Sequence, residues 1–248
     1  MLRKSIFIAT NRNDIYNKSM DIDLSVVIPC LNEEKTIGTC IEKCKKVFAE
    51  LGINGEVVVS DNGSTDNSVS ISESLGARVV HCKDKGYGNA LRFGFKNALG
   101  NYIIMGDADN TYDYNEIPIF WKALTPDIDM VIGTRLRGYI EKSAMPFLHR
   151  YLGTPVLTMV LNILYGTRIS DIMCGMRLMK RESLEKINLK TTGMEFASEL
   201  MVEFAKHKFK IKEVKISLKC GAKGRKPHLN TWRDGWRHLC YLVKERFV

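Results

Sequence analysis

Residues 24–66 read LSVVIPCLNEEKTIGTCIEKCKKVFAELGINGEVVVSDNGSTD, and this stretch decides the fold. Leu24–Ile28 is a short apolar run rich in β-branched residues, the pattern of a strand covered on both faces, and Pro29 is expected to end it. Ile37, Cys40, Ile41, Cys44, Val47, Phe48 and Leu51 then recur at the three- and four-residue spacing of an amphipathic helix. Val57–Val59 is a second strand. Asp61-Asn62-Gly63-Ser64 forms the turn after it, with Thr65 or Asp66 placed to cap the next helix.

Working outward, the alternation continues. Arg78–Val80 reads as a third strand, residues 87–99 as a helix, Asn101–Met105 as a fourth strand ending at Gly106, and Met130–Ile132 as a fifth. Strands alternating with helices predict an α/β fold with a mostly parallel central sheet flanked by helices. Ligands of such sheets bind at the carboxyl ends of the strands. The polar clusters fall there: Asn32-Glu33, Asp61-Asn62, Asp107–Asp109 and Thr134-Arg135.

The second half changes character. Leu148–Tyr165 is apolar on nearly every side of a helix, Asp171–Lys180 is a loop leading into a short strand, and Glu195–Lys206 is helical again. Val214, Ile216 and Leu218 alternate as a strand. Gly221–Pro227 is a loop of Gly, Lys and Arg, and Trp232–Phe247 is a basic and aromatic helix. The chain therefore divides into a flexible polar tail over 1–20, a main domain over 21–220 and a basic aromatic segment over 221–248.

Composition narrows the partners. The chain has 248 residues and a formal charge of +9, unevenly placed. From residue 206 onward 13 Lys and Arg face 3 Asp and Glu, whereas residues 1–205 carry 24 against 25. A basic end on a neutral body suits a polyanion, either nucleic acid or an anionic membrane surface. The seven cysteines include no C-x-x-C pair and no zinc-ligand spacing, and they read as reduced, mostly buried thiols of a cytosolic protein. No secretory signal and no uncharged apolar stretch of membrane-spanning length is present. Leu152–Gly166 comes nearest, and it reads either as a buried core helix or as one lying in a membrane interface.

Three stretches carry chemistry. Asp107-Ala108-Asp109 follows an apolar strand, and two carboxylates so placed can hold a hard divalent cation that bridges substrate phosphates. Asp61 and its neighbours are short acceptors at a strand end, suited to a base edge or a ribose hydroxyl, or simply to an Asx turn and helix cap. Lys85-Gly86-Tyr87-Gly88 opens a helix, where backbone amides and Lys85 can approach an anion. It is neither a dinucleotide-binding G-x-G-x-x-G nor a P-loop.

In this order and spacing, VVIPCLNEE, VSDNGSTD, KGYGNA and GDAD resemble glycosyltransferase family 2. The resemblance covers about residues 24–240 and implies a GT-A fold acting on nucleotide-diphosphate sugars. IGTR at 132–135, SDIMCGMR at 170–177, GMEFASE at 193–199 and WRDGWRH at 232–238 are similar to the polyprenyl-phosphate branch, which includes dolichol-phosphate mannosyltransferase. The resemblance then implies that Pro29, Glu33 and Asp61 contact the nucleoside and that Asp107 and Asp109 hold the diphosphate through Mg2+ or Mn2+. Asn32, Lys85, Gly86 and Ala108 are expected in the same nucleotide-sugar site. Arg135 and Arg177 line the sugar and phosphate region, and Arg225 lies in a basic loop facing the phosphates. Asn62 stands where an Asp is common. Relatives often continue into membrane helices after WRDGWRH, and this chain reads as either a short natural form or a truncated one.

The reaction this implies is inverting transfer to undecaprenyl or dolichyl phosphate on the cytoplasmic face of a membrane. A phosphate monoester has a second pKa near 6 and is mostly a dianion at neutral pH, so it needs no strong base. Asp171 is the best candidate if a base is used, and otherwise it orients Arg177 or caps a turn. Trp232, Trp236, Tyr241 and Phe247 among Arg233, Arg237, Lys244 and Arg246 suit a bilayer interface, and the same composition suits RNA; the resemblance implies the membrane and not nucleic acid as partner. Self-association is open. The competing functions are transfer to a sugar hydroxyl, and a non-catalytic membrane-bound scaffold of the same fold.

Overall fold

The computed structural model describes residues 22–221 and 231–247. The expected tail over 1–20, the basic loop with Arg225, and the side chain of Trp232 lie outside the described residues. Seven strands form one sheet: β1 (Leu24–Cys30), β2 (Gly55–Asp61), β3 (Arg78–His81), β4 (Tyr102–Met105), β5 (Met130–Ile140), β6 (Arg177–Lys180) and β7 (Ile211–Leu218). Their order is β3-β2-β1-β4-β6-β5-β7. β1, β2, β3 and β4 pair in parallel, as do β5 and β7, while β6 runs antiparallel between β4 and β5. The sheet is mostly parallel, as the alternation implies.

The helices are α1 (Ile37–Leu51), α2 (Ser68–Ser74), α3 (Tyr87–Asn97), α4 (Ile117–Ala123), α5 (Thr154–Tyr165), α6 (Arg181–Glu185), α7 (Phe196–Lys206) and α8 (Thr231–Lys244). α1 buries Ile37, Cys40, Ile41, Cys44, Val47 and Phe48, the periodic face read from the sequence. It ends on Gly52, whose φ of 62° is the left-handed conformation glycine adopts without strain. Leu24, Val26, Val27, Ile28, Val58, Val59, Ile103 and Ile104 fill the sheet's interior and are all essentially inaccessible.

Three local expectations are corrected. Pro29 does not end β1, because the strand continues to Cys30 and Pro29 faces Ser60 in register. Val27 O accepts from Gly106 N on the β4 side, and Cys30 O accepts from Asn62 N on the β2 side. Strand residues alternate sides, so the missing N–H of Pro29 points past the end of β4, where no strand needs it. Met130–Ile132 is the start of a strand that runs to Ile140, with an irregularity against β7 between Thr134 and Tyr139. The apolar segment after Leu148 begins as a π-helical turn over His149–Gly153 before α5.

α5 explains its own sequence. Thr154, Leu157, Thr158 and Leu161 turn inward and are buried, while Val156, Met159 and Ile163 are exposed on the outer face. α8 packs beside it, and Tyr165 OH donates to Leu242 O at 2.8 Å. α8 is joined to α7 by a polar seam. Arg237 Nη2 lies 2.6 Å from Glu195 Oε1, His238 Nδ1 2.8 Å from Ser198 Oγ, and Tyr241 OH 3.4 Å from Glu199 Oε1.

His238 is 1% exposed, and its Nε2 is buried without a hydrogen-bond partner. Burial takes its pKa down to about 4. Glu195 and Asp234 oppose that shift, and Arg177 and Arg237 add to it. The imidazole is therefore neutral in the fold, and the unfolded chain binds one more proton between its ordinary pKa of 6.5 and about 4. Stability from this group is complete above the upper value and is lost as pH falls through the window, by up to about 3 kcal/mol. Melting temperatures between pH 7.5 and 4.5 should fall less steeply for His238→Gln than for the native chain. Equal slopes would remove His238 as the cause.

Candidate active site

β1 sits between β2 on one side and β4 on the other, so the chain reverses direction of travel across the sheet at that point. A crevice opens beyond the carboxyl ends of strands at such a switch. Here it holds a cavity of about 460 Å³. Pro29 and Cys30 line it at the end of β1, Leu31 and Glu33 just beyond, Asn62 after β2, and Asp107, Ala108 and Asp109 after β4. Lys85, Gly86, Tyr87 and Ala90 add the start of α3. Gly193, Met194, Arg233, Asp234 and Arg237 close it.

The two carboxylates are held by their own surroundings. Asp107 Oδ1 accepts from Tyr87 OH at 2.9 Å, and a Cβ on Gly175 would come within 3.0 Å of Asp107 Oδ2. Tyr114 OH donates to Asp107 O at 3.1 Å. Asp109 Oδ1 accepts from Thr111 N at 3.0 Å and from Thr111 Oγ1 at 2.6 Å. No group of three or more His, Cys, Asp or Glu side chains placed to hold a metal occurs among the described residues. Two carboxylates suit a hard cation of the Mg2+ or Mn2+ kind, whose other ligands are substrate phosphate oxygens and water. The donor set fits that ion.

At the other end of the cavity, Glu33 N donates to Ser68 Oγ at 2.8 Å, and Glu33 Oε2 accepts from Thr36 Oγ1. Asp66 Oδ1 accepts from Ser68 N at 2.9 Å, but the N-cap position of α2 falls on Asn67, whose side chain makes no cap bond, so neither Thr65 nor Asp66 is the cap expected. Asp61 and Asn32 are not among the residues that line the cavity. Asp61 accepts from Ser64 N at 2.9 Å, Gly63 N at 3.2 Å and His81 Nδ1 at 3.3 Å. Burial raises its pKa, but these hydrogen bonds outweigh burial and hold it below the usual carboxylate range. Asn32 takes a positive φ of 57°, tolerated by Asn, and its Oδ1 accepts from Thr65 N at 2.8 Å. It ties the loop after β1 to the loop after β2. Cys30 faces the cavity, but burial pushes its thiol up to about 11, so it is no nucleophile at neutral pH.

The expected catalytic trio is placed elsewhere. Arg177 is wholly buried, and its three nitrogens donate to Cys174 O, Ala197 O and Ile172 O at 2.7–2.9 Å. It braces the loop before β6 and does not reach the cavity. Asp171 is 0% exposed and pairs with Arg135, not Arg177. Its Oδ2 accepts from Arg135 N and Nε, and its Oδ1 from Arg135 Nη2 and Met173 N. Both oxygens are committed, so Asp171 as placed is a poor base. Arg135 Nη1 reaches Tyr112 OH at 3.5 Å, and Tyr112 OH accepts from Gly175 N. Arg225 lies outside the described residues, but the chain leading to it passes the site: Lys219 N donates to Thr111 O at 2.8 Å.

The sequence names Tyr87, Gly193, Met194 and Asp234 only as parts of motifs, and it sets Arg233 and Arg237 at a bilayer interface; the structure brings all six to the cavity. Tyr87 had a signal, since it stands between two glycines at a helix start. The α8 residues had none beyond their motif, because their place depends on the chain folding back over the cavity.

The family model described as glycosyl transferase family 2 matches residues 25–188. The low-salt glycan biosynthesis hexosyltransferase Agl6 of Haloferax volcanii is 42% identical over 221 residues, covering 89% of this chain and 53% of that protein. This chain thus spans about half the length of that relative. The dolichyl-phosphate hexose transferase of the same organism is 31% identical over 195 residues, covering 78% of this chain and 82% of that protein. Among solved structures, glucosyl-3-phosphoglycerate synthase from Mycobacterium tuberculosis in complex with uridine diphosphate superposes with a TM-score of 0.73 at 20% identity, covering 100% of this chain and 87% of that one. At that identity the likeness shows the shared fold.

Proposed function

The chain belongs to glycosyl transferase family 2, and from that premise we propose that it transfers a sugar from a nucleoside-diphosphate donor to a polyprenyl phosphate at the cytoplasmic surface of a membrane. The donor occupies the cavity beyond β1, β2 and β4. The nucleoside lies toward Pro29, Glu33 and Asn62, and the diphosphate toward Asp107 and Asp109. These two carboxylates would hold Mg2+ or Mn2+, which would supply charge neutralisation to the departing nucleoside diphosphate. Tyr87 orients Asp107, Thr111 orients Asp109, and Lys85, Arg233 and Arg237 bring positive charge to the same space.

One observation carries the choice of acceptor. α8 walls the donor cavity with Arg233, Asp234 and Arg237, while Trp236, Val243 and Phe247 of the same segment are exposed. Beside it, Phe147, Leu148, Tyr151, Leu152, Val156, Met159 and Ile163 are also exposed, with the Arg150 guanidinium over the Tyr151 ring. Apolar and aromatic side chains edged by basic ones suit the headgroup region of an anionic bilayer. The relative named as a dolichyl-phosphate hexose transferase supports the same acceptor class. So does Asp171: a lipid phosphate dianion needs no base, and Asp171 is not placed to be one.

No helix among the described residues is long and apolar enough to cross a membrane. This surface would contribute attachment, with each basic residue adding about 1 kcal/mol near anionic lipid. Vesicles containing anionic phospholipid should sediment the protein, and Trp236→Ser with Ile163→Ser should weaken sedimentation roughly tenfold. Elevated salt should weaken it too. A protein left in the supernatant with such vesicles would contradict the lipid acceptor.

A further inference from the structure

Asn62 stands at the carboxyl end of β2, where the family resemblance sets an aspartate. Every hydrogen-bonding group of this residue is in use. Its N donates to Cys30 O at 2.9 Å. Its Nδ2 donates to Asp84 O at 2.8 Å and Cys82 O at 3.3 Å. Its Oδ1 accepts from Gly86 N at 2.8 Å, and its main-chain O accepts from Lys85 Nζ at 2.7 Å. One side chain thus holds the whole turn from Cys82 to Gly86 against the end of β2. Gly63 completes the seat: a Cβ there would fall 2.2 Å from Lys85 Nζ, and its φ is 92°.

A carboxylate cannot take this place. Two of the three side-chain bonds require donors toward carbonyl oxygens, and an ionised aspartate has none. It would set acceptor against acceptor at Asp84 O and Cys82 O. It would also stand close enough to Lys85 to neutralise it. In the present arrangement the Lys85 ammonium rests on a neutral carbonyl and pairs with no carboxylate among the described residues. Its charge is available to the cavity it lines.

We propose that Asn62 is a positioning residue for donor binding: its carboxamide holds the Cys82–Gly86 turn and thereby presents Lys85, with its charge unspent, to the anionic nucleotide. This rests on the donor assignment above. It makes Asn62 a requirement of this chain's pocket and not a tolerated variant of the aspartate.

The test is calorimetric titration of UDP and of GDP, each with Mn2+, into the native chain, Asn62→Asp, Lys85→Met and the double variant. Asn62→Asp and Lys85→Met should each weaken the bound nucleotide at least about tenfold, and the double variant no more than about twofold beyond the weaker single one, because both act through the same ammonium. Asn62→Asp should regain affinity as pH falls toward 5, since a protonated carboxyl can donate to Asp84 O and accept from Gly86 N; Lys85→Met should not. Native affinity in Asn62→Asp, or fully additive losses in the double variant, would overturn the proposal while leaving the donor site standing. Failure of the native chain to bind either nucleotide would overturn the donor assignment and this inference with it.

Discussion

Asp109→Ala should reduce sugar transfer at least about a thousandfold and abolish metal-dependent nucleotide binding. Asp109 lies at the cavity beyond β4, and its carboxylate is fixed by two hydrogen bonds from Thr111. It is one of only two carboxylates after that strand that line the cavity, so no third protein ligand compensates for its loss among the described residues. The effect on folding should be small by comparison. The substitution removes a loop cap, at a cost of about 1 kcal/mol. Binding of Mn2+ in the presence of nucleotide, followed alongside turnover, separates the two effects. A variant that keeps its melting temperature and loses both metal and turnover has lost the site. Turnover within tenfold of native would remove Asp109 from the diphosphate end of the cavity.

Asp171→Ala should destabilise the protein by about 3–5 kcal/mol, because removing one partner of a buried ion pair strands the other. Arg135 would keep its guanidinium, 12% exposed, without the two hydrogen bonds to the carboxylate that now neutralise it, and its main-chain N would lose an acceptor. Met173 N would lose its acceptor as well. For a chain of this size the melting temperature should fall by on the order of 10 °C. Replacing both partners, as in Asp171→Leu with Arg135→Met, should recover much of that loss. Asp171→Asn distinguishes structure from catalysis. A structural Asp171 gives a lower melting temperature, with turnover of the folded enzyme reduced by about tenfold or less. A general base gives a loss near 10²–10⁴ with native stability. The second pattern would favour a sugar hydroxyl as acceptor over a lipid phosphate.

The readable parts of the fold are those whose information is local. The run Val26-Val27-Ile28, the apolar face of α1 and the strand before Asp107 each carry their own period, and each forms where that period places it. The cavity-lining Asp107 and Asp109 were legible for the same reason: a strand end and two carboxylates are neighbours in sequence. Arg177 was not legible. Its charge sits in a mostly apolar motif, and the carbonyls of Ile172 and Cys174 in the preceding loop and of Ala197 in α7 satisfy it inside the core. A buried guanidinium so satisfied looks, in sequence, like one reaching for a phosphate. The Arg135–Asp171 pair spans 36 positions, and α8 closes over the cavity from the far end of the chain. Neither relation has a local pattern. Pro29 was misread because the rule that proline ends a strand depends on which side its missing N–H faces.

The most direct test is transfer of labelled sugar from UDP- and GDP-hexoses, with Mn2+ or Mg2+, to three acceptors supplied in parallel: a polyprenyl phosphate, the corresponding polyprenol, and water-soluble sugars. The expected result is label in the organic phase with the polyprenyl phosphate alone, dependent on metal and absent with Asp109→Ala. Label on the water-soluble sugars, with none in the organic phase, would contradict transfer to a lipid phosphate.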